Sequence, residues 1–115
     1  MIYIASPYSD PNDAVQYERF MAVRDYSVTL MKLGLPCFSP IAYGRQFQKH
    51  YNMGGDFETW LEFNNHMMRT SSKVHVLTLS GWDKSKGVTH EIDFATRLLI
   101  PVIYILAKET ARGNI

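Results

Sequence analysis

Four short apolar runs, separated by longer segments, constrain this chain more than anything else in it. Residues 1–5 (MIYIA), 35–40 (LPCFSP), 74–79 (VHVLTL) and 101–106 (PVIYIL) have strand length and strand-forming content, without polar alternation. Between the first two, Asp10 reads as an N-cap with Pro11 at the first helical position. A helix is predicted from about Pro11 to Leu33, with Phe20, Val23, Ser27, Leu30 and Met31 at three- and four-residue spacing and Gly34 as its stop. A second helix is predicted from about Asp56 to Ser71, its stripe formed by Phe57, Trp60, Leu61, Asn64, Met67 and Met68. A third, from about Ser85 to Leu99, carries Val88, Ile92, Ala95, Leu98 and Leu99 on one face. Residues 41–56 show no clean period and predict a long loop, a feature often tied to function. The polar tail 107–115 predicts a frayed end or a short helix.

Strand and helix therefore alternate, which favours parallel strands joined by right-handed crossovers. Strands without alternation agree, because a parallel strand is buried on both faces. The expected fold is a small α/β domain over residues 1–115: a doubly wound, Rossmann- or flavodoxin-like parallel sheet of four to five strands, with helices on both faces. In such sheets ligands bind beyond the carboxyl ends of the strands, where the winding reverses. Residues 6–9, 39–43 and 80–83 lie at such ends.

Composition narrows the function classes. A net charge of +1 over 115 residues gives no bulk attraction to nucleic acid, though it leaves room for a small anion. Cys37, the one cysteine, cannot form an intramolecular disulfide and sits in an apolar run, as a small buried hydrophobe does. A reducing cytoplasm is the simplest compartment. No apolar stretch approaches membrane-spanning length, and the N-terminus lacks the basic opening of a signal peptide. His66, His75 and His90 show no metal spacing, so no metal is expected. His75 falls in a strand core pattern and reads as structural, and His90 is expected to point away from its neighbour Glu91. There is neither a Walker motif nor a glycine-rich dinucleotide turn after the first strand.

Glu91 is the most informative residue. It falls on the apolar stripe of the third helix, where an unpaired carboxylate is costly. It sits near the helix start, where the dipole favours an anion, and follows Gly87, which permits close approach. The plainer reading is a first-turn glutamate turned to solvent. Ser85 and Gly87 read as an N-cap and a permissive glycine, whose free N–H groups can also hold a phosphate or carboxylate. Ser6, Pro7 and Tyr8 form a stiff turn after the first strand, and Tyr8 could orient a carboxylate or bind a sugar hydroxyl. Trp82 is either a lid on the core or a stacking wall for a base. Asn64, an amide on an inner stripe, either anchors a loop or touches ligand.

The segments IYIASPYS, FSPIA and GWDKSKGVTHEIDFA together resemble the nucleoside 2-deoxyribosyltransferase-like superfamily, in particular a small branch common in phages and bacteria. The resemblance covers nearly the whole chain, and its most specific part is the spacing of Gly81, Trp82, Asp83, Ser85, Gly87 and Glu91. It implies a doubly wound fold, assembly as a dimer or larger oligomer, and no metal or organic cofactor. It implies that Glu91 is the nucleophile that attacks the anomeric carbon and displaces the base, with Tyr8 orienting it. Ser6, Pro7, Ser39, Asn64, Gly81, Trp82, Asp83, Ser85 and Gly87 would bind substrate, Ser85 and Gly87 through a 5′-phosphate. The superfamily usually has an aspartate where this chain has Asn64, and an amide supplies no proton to a departing base; His66 and Asp83 are the substitutes at hand. Three expectations follow: an N-glycosidase or N-deoxyribosyltransferase acting on a nucleoside or nucleoside 5′-monophosphate; a non-catalytic module binding a nucleotide or signal molecule; or an interaction domain whose aromatics in 38–63 build an oligomer interface.

Overall fold

A computed structural model describes residues 1–54 and 57–106. The expected tail at 107–115 and the expected helix start at Asp56 lie outside the described residues. The elements are β1 (Ile2–Ala5), α1 (Asp13–Lys32), β2 (Cys37–Phe38), α2 (Pro40–Tyr51), α3 (Phe57–Arg69), β3 (Lys73–Leu77), a 3-10 turn (Trp82–Lys84), α4 (Lys86–Arg97) and β4 (Val102–Ile105). The four strands pair in parallel in the order β2-β1-β3-β4. This is the small doubly wound α/β fold that the alternation predicts. The winding reverses between β1 and β3, so their carboxyl ends flank the crevice where ligands of such sheets bind.

Strand parity divides the core into two layers. Ile2, Ile4 and Leu77 pack with Val23, Tyr26 and Leu30 of α1, while Tyr3, Ala5, Val74 and Val76 pack with Met68 of α3 and Val88 and Ala95 of α4. Tyr3, Ile4, Val74, Val76 and Leu77 are fully buried, as strands covered on both faces must be.

Three expectations about elements are corrected. The segment 41–56 is not a loop throughout, because α2 occupies Pro40–Tyr51. Its start signal is explicit: Ser39 Oγ accepts from Ala42 N at 3.0 Å, and Pro40 fills the first turn. Gly44, Gln46 and Gln48 blur its apolar period, and Gly44 is the place where the Trp60 indole lies against the helix. The N-cap of α1 is Asn12, whose side chain accepts from Ala14 N, and Asp10 instead accepts from Asn12 N. The α4 helix ends at Arg97, so Leu98, its C-cap, and Leu99 lie beyond its apolar stripe and are exposed.

Candidate active site

A cavity of about 610 Å³ opens at the carboxyl ends of β1 and β3. Six elements line it, the 3-10 turn through Lys84. Ile4, Ser6 and Tyr8 come from β1 and its following turn, Arg19 from α1, and Ile41 and Gln48 from α2. Trp60, Leu61 and Asn64 come from α3, and Ser85, Gly87, His90 and Glu91 from the start of α4. That volume falls within the range of small-molecule sites.

Glu91 is buried against the sheet, and the Tyr3 hydroxyl donates a hydrogen bond to its Oε2. Burial pushes the Glu91 carboxyl up to about 8, although the Tyr3 hydrogen bond pulls the other way. Tyr3 itself is raised well above its ordinary value by burial, then by the Glu91 charge and by the bond between them. At neutral pH Glu91 is therefore mostly an uncharged acid, held beside the cavity by one phenol.

Ser85 caps α4, its Oγ accepting from Val88 N at 3.2 Å. Lys86 and Gly87, also in that first turn, line the cavity, and a helix start offers free N–H groups that can hold an anion. The loops on either side of the crevice are joined by Arg19. Its guanidinium donates to the carbonyls of Tyr8 (3.3 Å), Ser9 (2.9 Å) and Ser80 (3.0 Å). Gly81 is needed at this clip: its φ is +89°, and a Cβ there would lie 2.8 Å from Arg19 Nη2. Two polar atoms at the cavity, Ser6 Oγ and Asn64 Oδ1, are buried with no hydrogen-bond partner among the described residues. Ser6 is 7% exposed. Such atoms cost about 1–3 kcal/mol each unless a ligand satisfies them.

Of the residues singled out from sequence, the cavity gathers Ser6, Tyr8, Asn64, Gly81, Ser85, Gly87 and Glu91. Four lie elsewhere. Pro7 is fully buried beneath the turn. Ser39 is spent as the cap of α2. Trp82 packs on the α4-side core and against Tyr104, with ring centroids 5.5 Å apart, so of its two readings the lid is the one observed. Asp83 is exposed on the 3-10 turn. Tyr8 does not reach Glu91 as its orienting partner. Its hydroxyl accepts from Arg45 Nη1 at 2.7 Å, and the Arg45 guanidinium sits over the rings of Tyr8, Tyr17 and Phe20. The physical reason is parity: Tyr3 points to the α4 side of β1, whereas Tyr8 lies beyond the strand end.

Sequence reasoning missed Tyr3 and His90. Tyr3 looks like any strand-forming aromatic in an apolar run. His90 does not point away: it lines the cavity with Glu91, its Nε2 lies 2.9 Å from Asn65 Oδ1, and its ring meets the Phe57 ring edge-on. Asn65, one step from Asn64, is the buried amide that anchors structure. His66 is exposed. Among the described residues, no cluster of three or more His, Cys, Asp or Glu side chains is placed to hold a metal, and no helix is long and apolar enough to cross a membrane.

No curated protein matches this chain. A family model does, described as a domain of unknown function (DUF1937), and it takes in residues 1–106, so all nine elements among the described residues and the cavity residues named above fall inside the match. With nearly its whole length accounted for in this way, the chain belongs to the DUF1937 family.

Proposed function

We propose that this protein is an N-glycosidase or N-deoxyribosyltransferase acting on a nucleoside or nucleoside 5′-monophosphate, with Glu91 as the nucleophile. One observation carries the reading: a carboxyl group buried on an otherwise apolar helix stripe, presented to a cavity of nucleoside size and held by a tyrosine. A buried acid is expensive, and covalent glycosyl transfer is a chemistry that needs one at this place. Its oxygen attacks the anomeric carbon as the base departs, and water or a second base then resolves the glycosyl ester with retention. The likeness of IYIASPYS, FSPIA and GWDKSKGVTHEIDFA to the nucleoside 2-deoxyribosyltransferase-like superfamily supports the same assignment. Tyr3 takes the orienting role that the sequence alone suggested for Tyr8. Ser85 and the amides beside Gly87 suit a 5′-phosphate, and Ser6 and Asn64 offer unspent polar atoms to sugar or base. The reaction as read needs no metal or organic cofactor.

The deciding experiment is incubation with a pool of nucleosides and nucleoside monophosphates, followed by chromatography of released bases. Free base released by the wild type and not by Glu91→Gln supports the proposal. Full activity in Glu91→Gln overturns it.

A second reading, a binding module without turnover, draws on Asn64 standing where an acid is usual and on Glu91 being mostly protonated at neutral pH. Calorimetry with the same panel separates the two: tight binding without released base selects the module.

A further inference from the structure

We propose that His90 is the general acid–base of this cavity, a role that rests on the glycosyl-transfer reading above. Breaking the bond between the anomeric carbon and a base leaves an electron pair on the base nitrogen, and that nitrogen needs a proton. Most side chains at the cavity are poorly placed to give one. Asn64 is an amide. Glu58 is exposed and paired with Lys86 at 3.0 Å, and Arg19 is committed to three carbonyls. The acids and histidines suggested by sequence, His66 and Asp83, are exposed and do not line the cavity.

His90 does line it, beside Glu91 on the same helix. Its imidazole is fixed rather than loose. The Phe57 ring meets it edge-on at 5.2 Å, and the Phe94 ring lies 5.7 Å away. Asn65 fixes its tautomer. The Asn65 Oδ1 atom only accepts, so at 2.9 Å the His90 Nε2 carries the hydrogen and donates it. That leaves Nδ1 as the nitrogen that takes up and gives back a proton, and no described residue is hydrogen bonded to it. Glu91, His90 and Asn64, the last with its unspent Oδ1, thus line one cavity.

The chemistry balances. A Glu91 oxygen bonds to the anomeric carbon as the carbon–nitrogen bond breaks. The electron pair goes to the base nitrogen, which takes the Nδ1 proton and leaves as neutral base. Neutral His90 then removes a proton from water as the water oxygen bonds to the anomeric carbon. The bond to Glu91 breaks, its electrons return to the carboxylate, and both groups are restored. One water is consumed, and one base and one free sugar are formed.

The test compares leaving groups. Wild type, His90→Gln and His90→Ala are assayed by kcat/KM on 2′-deoxynucleosides, on their 5′-monophosphates, and on 4-nitrophenyl 2-deoxyriboside, whose phenolate departs without a proton. His90→Gln keeps a donor for Asn65 and so guards against a folding defect in His90→Ala. The expected result is a loss of about 10²–10⁴-fold on the natural leaving groups, with release of nitrophenolate within a few fold of wild type. Equal losses on both classes, or no loss on either, overturn the role of His90 while leaving the glycosidase reading intact. A wild-type protein inert on all three substrates overturns that reading and the role of His90 with it.

Discussion

Two tyrosines hold two titratable side chains on opposite faces of one sheet, and the cavity at the strand ends takes in one of these side chains and not the other. On the α1 side, Tyr26 Oη and His75 Nδ1 are hydrogen bonded at 2.7 Å among Ile4, Leu30 and Leu77. On the α4 side, Tyr3 donates to Glu91. Both titratable groups are buried, and burial shifts both toward their neutral forms: His75 is lowered, with a further push from Lys73, and Glu91 is raised. A perturbed group in a core is thus no sign of function by itself. What separates the pairs is that Glu91 shares its cavity with two unpartnered polar atoms and a helix start, whereas His75 is absent from the cavity lining.

The largest expected contrast is in turnover. Glu91→Gln should lower it by about three orders of magnitude or more, since removing a nucleophile leaves only binding and positioning. Replacement of His75 by phenylalanine should leave kcat within a few fold. Steady-state kinetics on whichever substrate releases base checks both. Comparable losses would show that the distinction between sealed and open pairs is false.

The second contrast is in the sign of the pH response. Glu91 is protonated in the fold up to about 8 but ionises near 4.5 once unfolded. The native state therefore holds the extra proton, and stability falls as pH rises from 4.5 to 8. His75 behaves oppositely. Its folded value lies below 6.5, so the unfolded chain holds the extra proton, and stability falls as pH drops through 6.5. The two slopes oppose each other just below 6.5, and between 6.5 and 8 only that of Glu91 remains. Denaturant titrations should show stability falling with pH in this window, by about 1–3 kcal/mol, and Glu91→Gln should remove the fall. Turnover of 4-nitrophenyl 2-deoxyriboside, whose phenolate needs no proton from His90, should rise with pH through about 8, because the nucleophile must be ionised. An unchanged slope in Glu91→Gln would mean that the carboxyl is not buried as an acid.

The hydroxyls offer a finer contrast. Tyr3→Phe removes the contact that favours the Glu91 carboxylate, so the rise in turnover should move to higher pH. Tyr26→Phe leaves His75 Nδ1 without that partner and should cost about 1–3 kcal/mol of stability without moving the activity profile. A shift of the profile in Tyr26→Phe alone would couple the two faces.

The same comparison explains how far the amino-acid sequence could be read. The parallel sheet and α4 are legible because buried strands and a capped amphipathic helix leave plain patterns, and Glu91 breaks the second of these. Tyr3 is not legible. Its significance depends on which face of β1 meets α4, and a four-residue apolar run carries no mark of that. Asn64 and Asn65 differ by one helical step of about 100°, too little for a pattern to tell the cavity-facing amide from the anchoring one. The α2 helix hides behind Gly44, whose smallness serves packing against Trp60 rather than helix propensity.

The smallest effect is the one expected at Asp83, and it tests the comparison from outside. Asp83 stands in the segment that carries the family resemblance, between a half-buried tryptophan and the cap of α4. It is neither buried like His75 nor turned to the cavity like Glu91. An exposed carboxylate on a short 3-10 turn keeps its water, so replacing it costs little, and a group off the cavity touches no reacting atom. Asp83→Ala should change stability by less than about 0.5 kcal/mol and turnover by less than about twofold. If turnover instead collapsed while the fold held, nearness in sequence to Glu91 would have outweighed the cavity as a guide, and the 3-10 turn would have to close over the site during reaction.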